Sequence, residues 1–194
     1  LLRETPPFRA DHVGSLLRPQ RLLQARDDFA AGRIKAEDLR QVEDEAIREV
    51  VQAQKAAGLR TATDGEFRRT AWHMDFIYRL GGVAPADEKI KVKFRNESGD
   101  IEFTAAALRV HDRVRLEETI FGDHFAFLKE AAEGTGLTPK LTIPSPNMVH
   151  YRGGPAAIDR NVYPDVEEFW SDLAAAYAEQ VRRIAELGCT YLQF

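Results

Sequence analysis

The chain is poor in cysteine, in histidine and in long apolar runs. One Cys among 194 residues, Cys189, excludes a disulfide framework and a Cys-only zinc finger. No apolar stretch approaches the roughly 18–20 residues of a membrane-spanning helix, so no membrane is expected as partner. Positive charge is not in excess: 27 Lys and Arg stand against 31 Asp and Glu, for a net charge of −4. That balance argues against a nucleic-acid binder held by a basic surface. The opening Leu1-Leu2-Arg3-Glu4-Thr5-Pro6-Pro7 lacks the apolar core of a signal peptide, and a cytoplasmic protein is expected. The histidines, at 12, 73, 111, 124 and 150, include no His-x-x-x-His pair, and no complete metal site is expected within the chain. The glycine patterns that cradle phosphates, Gly-x-Gly-x-x-Gly and Gly-x-x-x-x-Gly-Lys-Ser/Thr, are also missing.

What is present is ordinary for a globular chain: 44% hydrophobic and 30% charged residues, long enough to bury one core. Three segments repeat one plan, an amphipathic helix, a glycine and a short apolar strand. A helix over 36–57 places Leu39, Val42, Ala46, Val50, Ala53 and Ala57 on one face, followed by Gly58 and a strand at 59–63. A helix over 123–132 carries Phe125, Leu128 and Ala132, followed by Gly134, Gly136 and a strand at 140–143. A third helix has Asp165 as its cap and Glu168 three residues on, the capping-box pattern. It lines up Val166, Phe169, Leu173, Tyr177, Val181 and Ile184 before Gly188 and a strand at 189–194. An earlier helix, 19–31, follows a candidate first strand at 8–13. Segments 89–94 and 101–104 flank Asn96-Glu97-Ser98-Gly99-Asp100, a hairpin signature, and 108–116 alternates as a further strand. Strands alternating with helices predict an α/β fold with parallel strands and crossover helices.

In such folds ligands meet the carboxyl ends of the strands. Those ends are rich in polar and turn-forming residues. They are Asp11-His12-Val13-Gly14-Ser15, then Asp64-Gly65-Glu66-Phe67-Arg68-Arg69 with Trp72-His73, then Pro144-Ser145-Pro146-Asn147 with His150-Tyr151-Arg152. The opposite ends, Gly58-Leu59, Pro139-Lys140 and Gly188-Cys189, are bland. Each candidate also has a structural use. Glu66 serves a ligand or pairs with Arg68 or Arg69. His12 serves a ligand or bonds backbone. Ser15 serves a ligand or caps a helical turn. Trp72 stacks on a ligand or covers the core. Cys189 starts its strand at the far face and is expected to be a buried structural thiol.

The motif 11–15 with Leu17-Arg18-Pro19, and the motif 63–69 with Trp72-His73-Met74-Asp75-Phe76, resemble the cobalamin-independent methionine synthase family. The likeness is strongest to its stand-alone, barrel-only branch. Ile143-Pro144-Ser145-Pro146-Asn147-Met148 and the segment 188–194 fit the same branch. The resemblance implies a (β/α)8 TIM barrel, of which 1–194 would be one partial domain of about five strands with a β-hairpin insertion near 89–104. It implies methyl transfer from 5-methyltetrahydropteroyl(poly)glutamate, or another donor, to homocysteine, assisted by zinc. It implies substrate binding by His12, Ser15, Asp64, Glu66, Trp72, His150 and Tyr151. Ser15 would meet the amino-acid carboxylate and Glu66 its ammonium. The family's zinc ligands, a His-x-Cys pair, a Glu and a distant Cys, have no match here and are expected outside this chain. Asp64 stands where the full-length synthases usually carry His, and their Gly-Pro-Val-Thr pattern is replaced. The 194-residue piece alone is therefore expected to be inactive, with a second copy or a C-terminal half as partner. Two alternatives stay open: another thiol alkyltransferase or a metal-free decarboxylase of the same barrel superfamily, and a partial-barrel binding module without catalysis.

Overall fold

The computed structural model describes residues 11–86, 90–96, 99–105, 107–151 and 154–194, with backbone alone between 90 and 105. In chain order the elements are α1 (Gln20–Ala30), α2 (Ala36–Ala56), β1 (Thr61–Ala62), α3 (Met74–Ile77), β2 (Leu80–Pro85), β3 (Ile90–Asn96), β4 (Gly99–Ala105) and β5 (Leu108–Leu116). Then come α4 (Gly122–Ala131), β6 (Thr138–Pro139), β7 (Leu141–Thr142), α5 (Asn147–Tyr151), a 3-10 turn (Gly154–Ala157), α6 (Val166–Glu186) and β8 (Leu192–Gln193). The fold is α/β. The expected first strand falls partly outside the described residues, and 11–13 forms no strand. Two compact units divide the chain. One takes the described residues up to Trp72 with 121–143 and 184–194, and the other takes those of 73–120 and 144–183.

The first unit is built on short parallel strands. β1 pairs with β6, and β7 pairs with β8. Thr138 and Lys140 donate their N–H groups to Arg60 and Ala62 on one side, at 2.9 and 2.8 Å. Leu141 and Ile143 donate to Tyr191 and Gln193 on the other, at 3.1 and 2.9 Å. Segment 138–143 thus lies between β1 and β8 and alternates its bonds between them, as a central parallel strand must. Its side chains alternate as well. Leu141 and Ile143 are buried, and Ala62 of β1 packs with Leu22, Ala46, Ile47, Val51, Phe67, Leu128 and Ala132 from α1, α2, α4 and the loop after β1. The opposite register is polar: Thr61, Thr63, Lys140, Thr142 and Gln193.

Helix α2 packs Leu39, Val42, Ala46 and Val50 on the core as their spacing predicts, and its buried face departs from that spacing only toward the C-terminal end. Ile47, Val51 and Gln54 are buried, whereas Ala53 and Ala57 are exposed. The reason is a backbone requirement. Gln54 Nε2 donates to the Thr63 carbonyl at 2.9 Å, and Thr63 N–H donates to Gln54 Oε1 at 3.0 Å. One amide side chain so satisfies both polar backbone groups of a buried strand residue.

The second unit holds antiparallel pairs. β2 pairs with β5 from Leu80 opposite Leu116 to Pro85 opposite Leu108, with a bulge between Gly81 and Val83. β3 pairs with β4, Ile90 opposite Ala105 and Asn96 opposite Gly99. β2 is not evident in the sequence because two glycines interrupt its apolar pattern. Gly82 has φ +84°, and a Cβ there would lie 2.5 Å from the carbonyl oxygens of Asp112 and Arg113. In α6, Phe169, Leu173 and Tyr177 are buried as their spacing predicts. Gln180 is buried in place of the expected Val181, and its amide brackets Ile120 at 3.0 and 2.8 Å. Asp165 caps α6 by accepting the Glu167 N–H at 3.0 Å. Glu168 does not complete a capping box, because its carboxylate pairs with Arg113 at 2.5 Å. Among the described residues no helix is long and apolar enough to cross a membrane.

Gln54→Leu leaves the Thr63 N–H and C=O buried without partners. Its expected cost is about 2–3 kcal/mol of unfolding free energy, read from urea denaturation.

Candidate functional site

The polar register of the first unit's strands runs into two loops, 11–16 and 63–69. Thr63 Oγ1 donates to the Gly14 carbonyl at 2.7 Å, and Leu16 N–H donates to the Gly65 carbonyl at 3.1 Å. These bonds flank Ser15 and tie its loop to the loop that carries Glu66. Thr142 closes the group. Its Oγ1 donates to Glu66 Oε1 at 2.8 Å, and its side chain fills the space where a Cβ on Gly14 would stand, 2.6 Å from Cγ2. Gly14 has φ +150°, so both conformation and space demand glycine.

Glu66 is 5% exposed and sits in the left-handed region, φ +58°. That conformation costs a non-glycine residue on the order of 1 kcal/mol and persists only where surroundings enforce it. Here they do. Asp64 Oδ1 accepts the Glu66 N–H at 2.9 Å, and the Glu66 carbonyl accepts Arg18 Nη2 at 2.9 Å and the Arg69 N–H at 3.0 Å. Arg18 and Arg26 both reach the Arg69 carbonyl, at 2.7 and 2.8 Å, and Arg68 pairs with Asp44 of α2. The Arg69 guanidinium, 1% exposed, meets Glu66 Oε1 at 3.4 Å and lies 4.2 Å from the Phe121 ring centroid. The result is a buried carboxylate on a rigid turn at a strand end, with its position set from four directions.

Several buried polar atoms at these loops lack protein partners: both ring nitrogens of His12, Asp64 Oδ2, Arg69 Nε and Nη2, and His124 Nδ1. Buried polar atoms are ordinarily bonded, so such a cluster is where a polar ligand or ordered water belongs. His124, at the start of α4, stacks on Phe121 with centroids 4.9 Å apart. Burial pushes its imidazolium down to about 4, against the opposing pull of Asp123 and Asp64.

The structure ties the loop of His12 and Ser15, through Gly14 and Leu16, to the loop in which Asp64 and Glu66 are bonded to each other. Ser15 is exposed and His12 half-buried. Trp72, also in the first unit, is 49% exposed, and its carbonyl accepts Arg69 Nη1 at 3.4 Å. His150 and Tyr151 belong to the second unit. There His150 lies 5.2 Å from the Trp170 ring, and Tyr151 is 71% exposed. Sequence reasoning offered Arg69 as a partner of Glu66, as found, but passed over Thr142 and set Lys140 among the bland strand ends. The available signal was polar residues at alternate positions of otherwise apolar strands.

The donors do not fit a zinc site. Among the described residues no three His, Cys, Asp or Glu side chains are placed to share a metal. The Cys189 thiol, half-buried rather than fully buried, lies 3.3 Å from the Tyr191 carbonyl, and burial pushes its pKa up.

No family model matches the chain. It is 43% identical over 188 residues to the uncharacterized protein YxjH of Bacillus subtilis, covering 96% of this chain and 47% of that one. It is 27% identical over 194 residues to the methionine synthase of Sulfurisphaera tokodaii, covering 98% of this chain and 52% of the relative. Among solved structures it matches a Listeria monocytogenes protein described provisionally as a vitamin-B12-independent methionine synthase. That match has a TM-score of 0.79 and 38% identity, and covers 98% of this chain and 52% of the other. It shares its fold with a B12-independent methionine synthase from Shewanella sp. W3-18-1 solved with selenomethionine, at a TM-score of 0.66, 22% identity and coverage of 94% and 49%. The chain spans about half the length of the curated relatives it matches.

Two outcomes test this geometry. Gly14→Ala costs more than about 1 kcal/mol of stability, and adding Thr142→Ala recovers part of that cost. Their non-additivity is read from a double-mutant cycle of unfolding free energies. Between pH 6.5 and about 4 the unfolded chain holds a proton on His124 that the folded chain does not. Stability therefore falls as pH drops through that window, and His124→Gln flattens the fall in pH-dependent urea titrations.

Proposed function

We propose that this chain, a relative of the vitamin-B12-independent methionine synthases, is the substrate-gripping part of a (β/α)8 barrel that methylates the thiol of homocysteine. The observation that carries the reading is the buried Glu66 carboxylate. It is held by Thr142 and Arg69 on an enforced left-handed turn, beside the loop of Ser15. A carboxylate fixed at low exposure is a strong partner for an α-ammonium group, because charge-assisted bonds gain when water is excluded. Its fixed position adds orientation at little entropic cost on binding. The hydroxyl of Ser15 and adjacent backbone donors serve the substrate carboxylate. The unpartnered atoms of His12 and Asp64 supply further polar contacts. Trp72 offers a ring for the heteroaromatic part of the methyl donor.

The net reaction forms the S–CH3 bond of methionine and breaks the N–CH3 bond of 5-methyltetrahydropteroyl(poly)glutamate or another donor. The thiol proton passes to the donor nitrogen. A thiol with its ordinary pKa near 8.5 is mostly protonated at neutral pH, so a zinc ion held elsewhere in the full-length protein would supply the thiol activation that the residues of this chain do not. The reading assigns the zinc ligands to residues outside this chain and the reaction to the cytoplasm.

The test uses the full-length protein with zinc, homocysteine and the methyl donor, and measures methionine formation. Glu66→Gln is expected to lower kcat/KM by about a hundredfold with the fold retained. A wild-type protein that alkylates no thiol, or a Glu66→Gln variant as active as wild type, would sink the reading.

A further inference from the structure

Lys140 separates β6 from β7, and its side chain is 0% exposed. An ammonium ion has three N–H bonds to give. All three are matched: Asp11 Oδ2 at 3.0 Å, Gln193 Oε1 at 3.1 Å and the His12 carbonyl. Asp11 gathers more donors. Thr61 Oγ1 reaches its Oδ1 at 2.8 Å and the Tyr191 hydroxyl its Oδ2 at 2.7 Å. Burial would raise the Asp11 pKa, but these bonds outweigh it and hold the carboxyl well below the usual carboxylate range. Tyr191 is pushed up to about 12 by its bond to Asp11. One ion pair, buried at its Lys140 end, thus joins β1, the 138–143 segment and the chain leading into β8 to the start of the loop that bears His12 and Ser15.

With every proton engaged and no exposed surface, Lys140 has nothing left to offer a ligand. We propose that Lys140 and Asp11 are positioning residues: they touch no substrate, and they set the backbone of the 11–16 loop so that Ser15 meets the amino-acid carboxylate. The loop is then fixed at three points: at Asp11–His12 by Lys140, at Gly14 by Thr63 and at Leu16 by Gly65. The two distal points rest on the same loop as Glu66. The proximal one alone depends on the ion pair, and releasing it frees the side of the loop that leads into Ser15. The inference rests on the functional reading above.

The experiment is a kinetic double-mutant cycle in the full-length, zinc-loaded protein, combining Lys140→Met with Ser15→Ala. Lys140→Met is expected to raise KM for homocysteine about tenfold or more, with kcat nearly unchanged. Adding Ser15→Ala then raises KM little further, because the misplaced loop no longer presents that hydroxyl. Amide hydrogen exchange of segment 11–17 is expected to speed up in Lys140→Met, while that of α2 stays as in wild type. If Lys140→Met does not fold, Tyr191→Phe and Gln193→Leu each remove a single bond of the network, and the same two readouts apply with smaller shifts in the same direction. The inference is overturned if the two substitutions multiply in KM, if kcat falls with KM unchanged, or if exchange in 11–17 does not change. An inactive wild-type protein overturns the functional reading and this inference with it. An active wild type with an additive cycle overturns this inference alone.

Discussion

A buried ammonium group without three acceptors is among the costliest features a fold can hold, and Lys140 finds its three on two segments distant from it along the chain, Asp11–His12 and Gln193. That requirement organises the first unit. Asp11 must approach from the N-terminal side, Gln193 from β8, and Thr61 and Tyr191 must complete the Asp11 carboxylate. Removing one partner would leave an uncompensated charge in the interior, so the strands and the loop after 11 hold each other in register. The polar register of 61, 63, 140, 142 and 193 and the apolar register of 62, 141 and 143 are two sides of one arrangement. Ala62 on the apolar side packs on helices, and the polar side runs into the loops of Ser15 and Glu66.

The loop after β1 shows the same economy of structure. Its left-handed Glu66 is strained, yet three arginines, one threonine and the Asp64 carboxylate leave it no alternative. Strain held in this way at a strand end, with unpartnered polar atoms around it, is compatible with the binding role proposed above and is fully accounted for by these contacts. Arg69 connects the two roles. It neutralises Glu66 and lies over Phe121 at the entrance to α4.

Two glutamines explain where amphipathic reasoning went astray. Gln54 and Gln180 stand on buried helix faces, and each amide brackets the N–H and C=O of one residue on a neighbouring segment. A hydropathy pattern scores them as surface residues. The backbone groups of Thr63 and Ile120 make them interior ones, and the buried faces of α2 and α6 take them in beside the apolar residues that the spacing predicts. Glu168 erred the other way, because its local capping pattern lost to a distant Arg113.

The sequence by itself determined the α/β alternation, the helix positions and the two polar strand-end motifs, because these follow from short-range periodicity and turn chemistry. It also showed likeness to a known family through those motifs. What only the tertiary structure decided was which polar residues are buried together. Thr142, Lys140 and Arg69 lie far from Asp11, Gly14 and Phe121 along the chain, and nothing local marks them as partners. Desolvation decides their roles, since a lysine or arginine is costly in the interior unless specific acceptors, brought from distant segments, surround it.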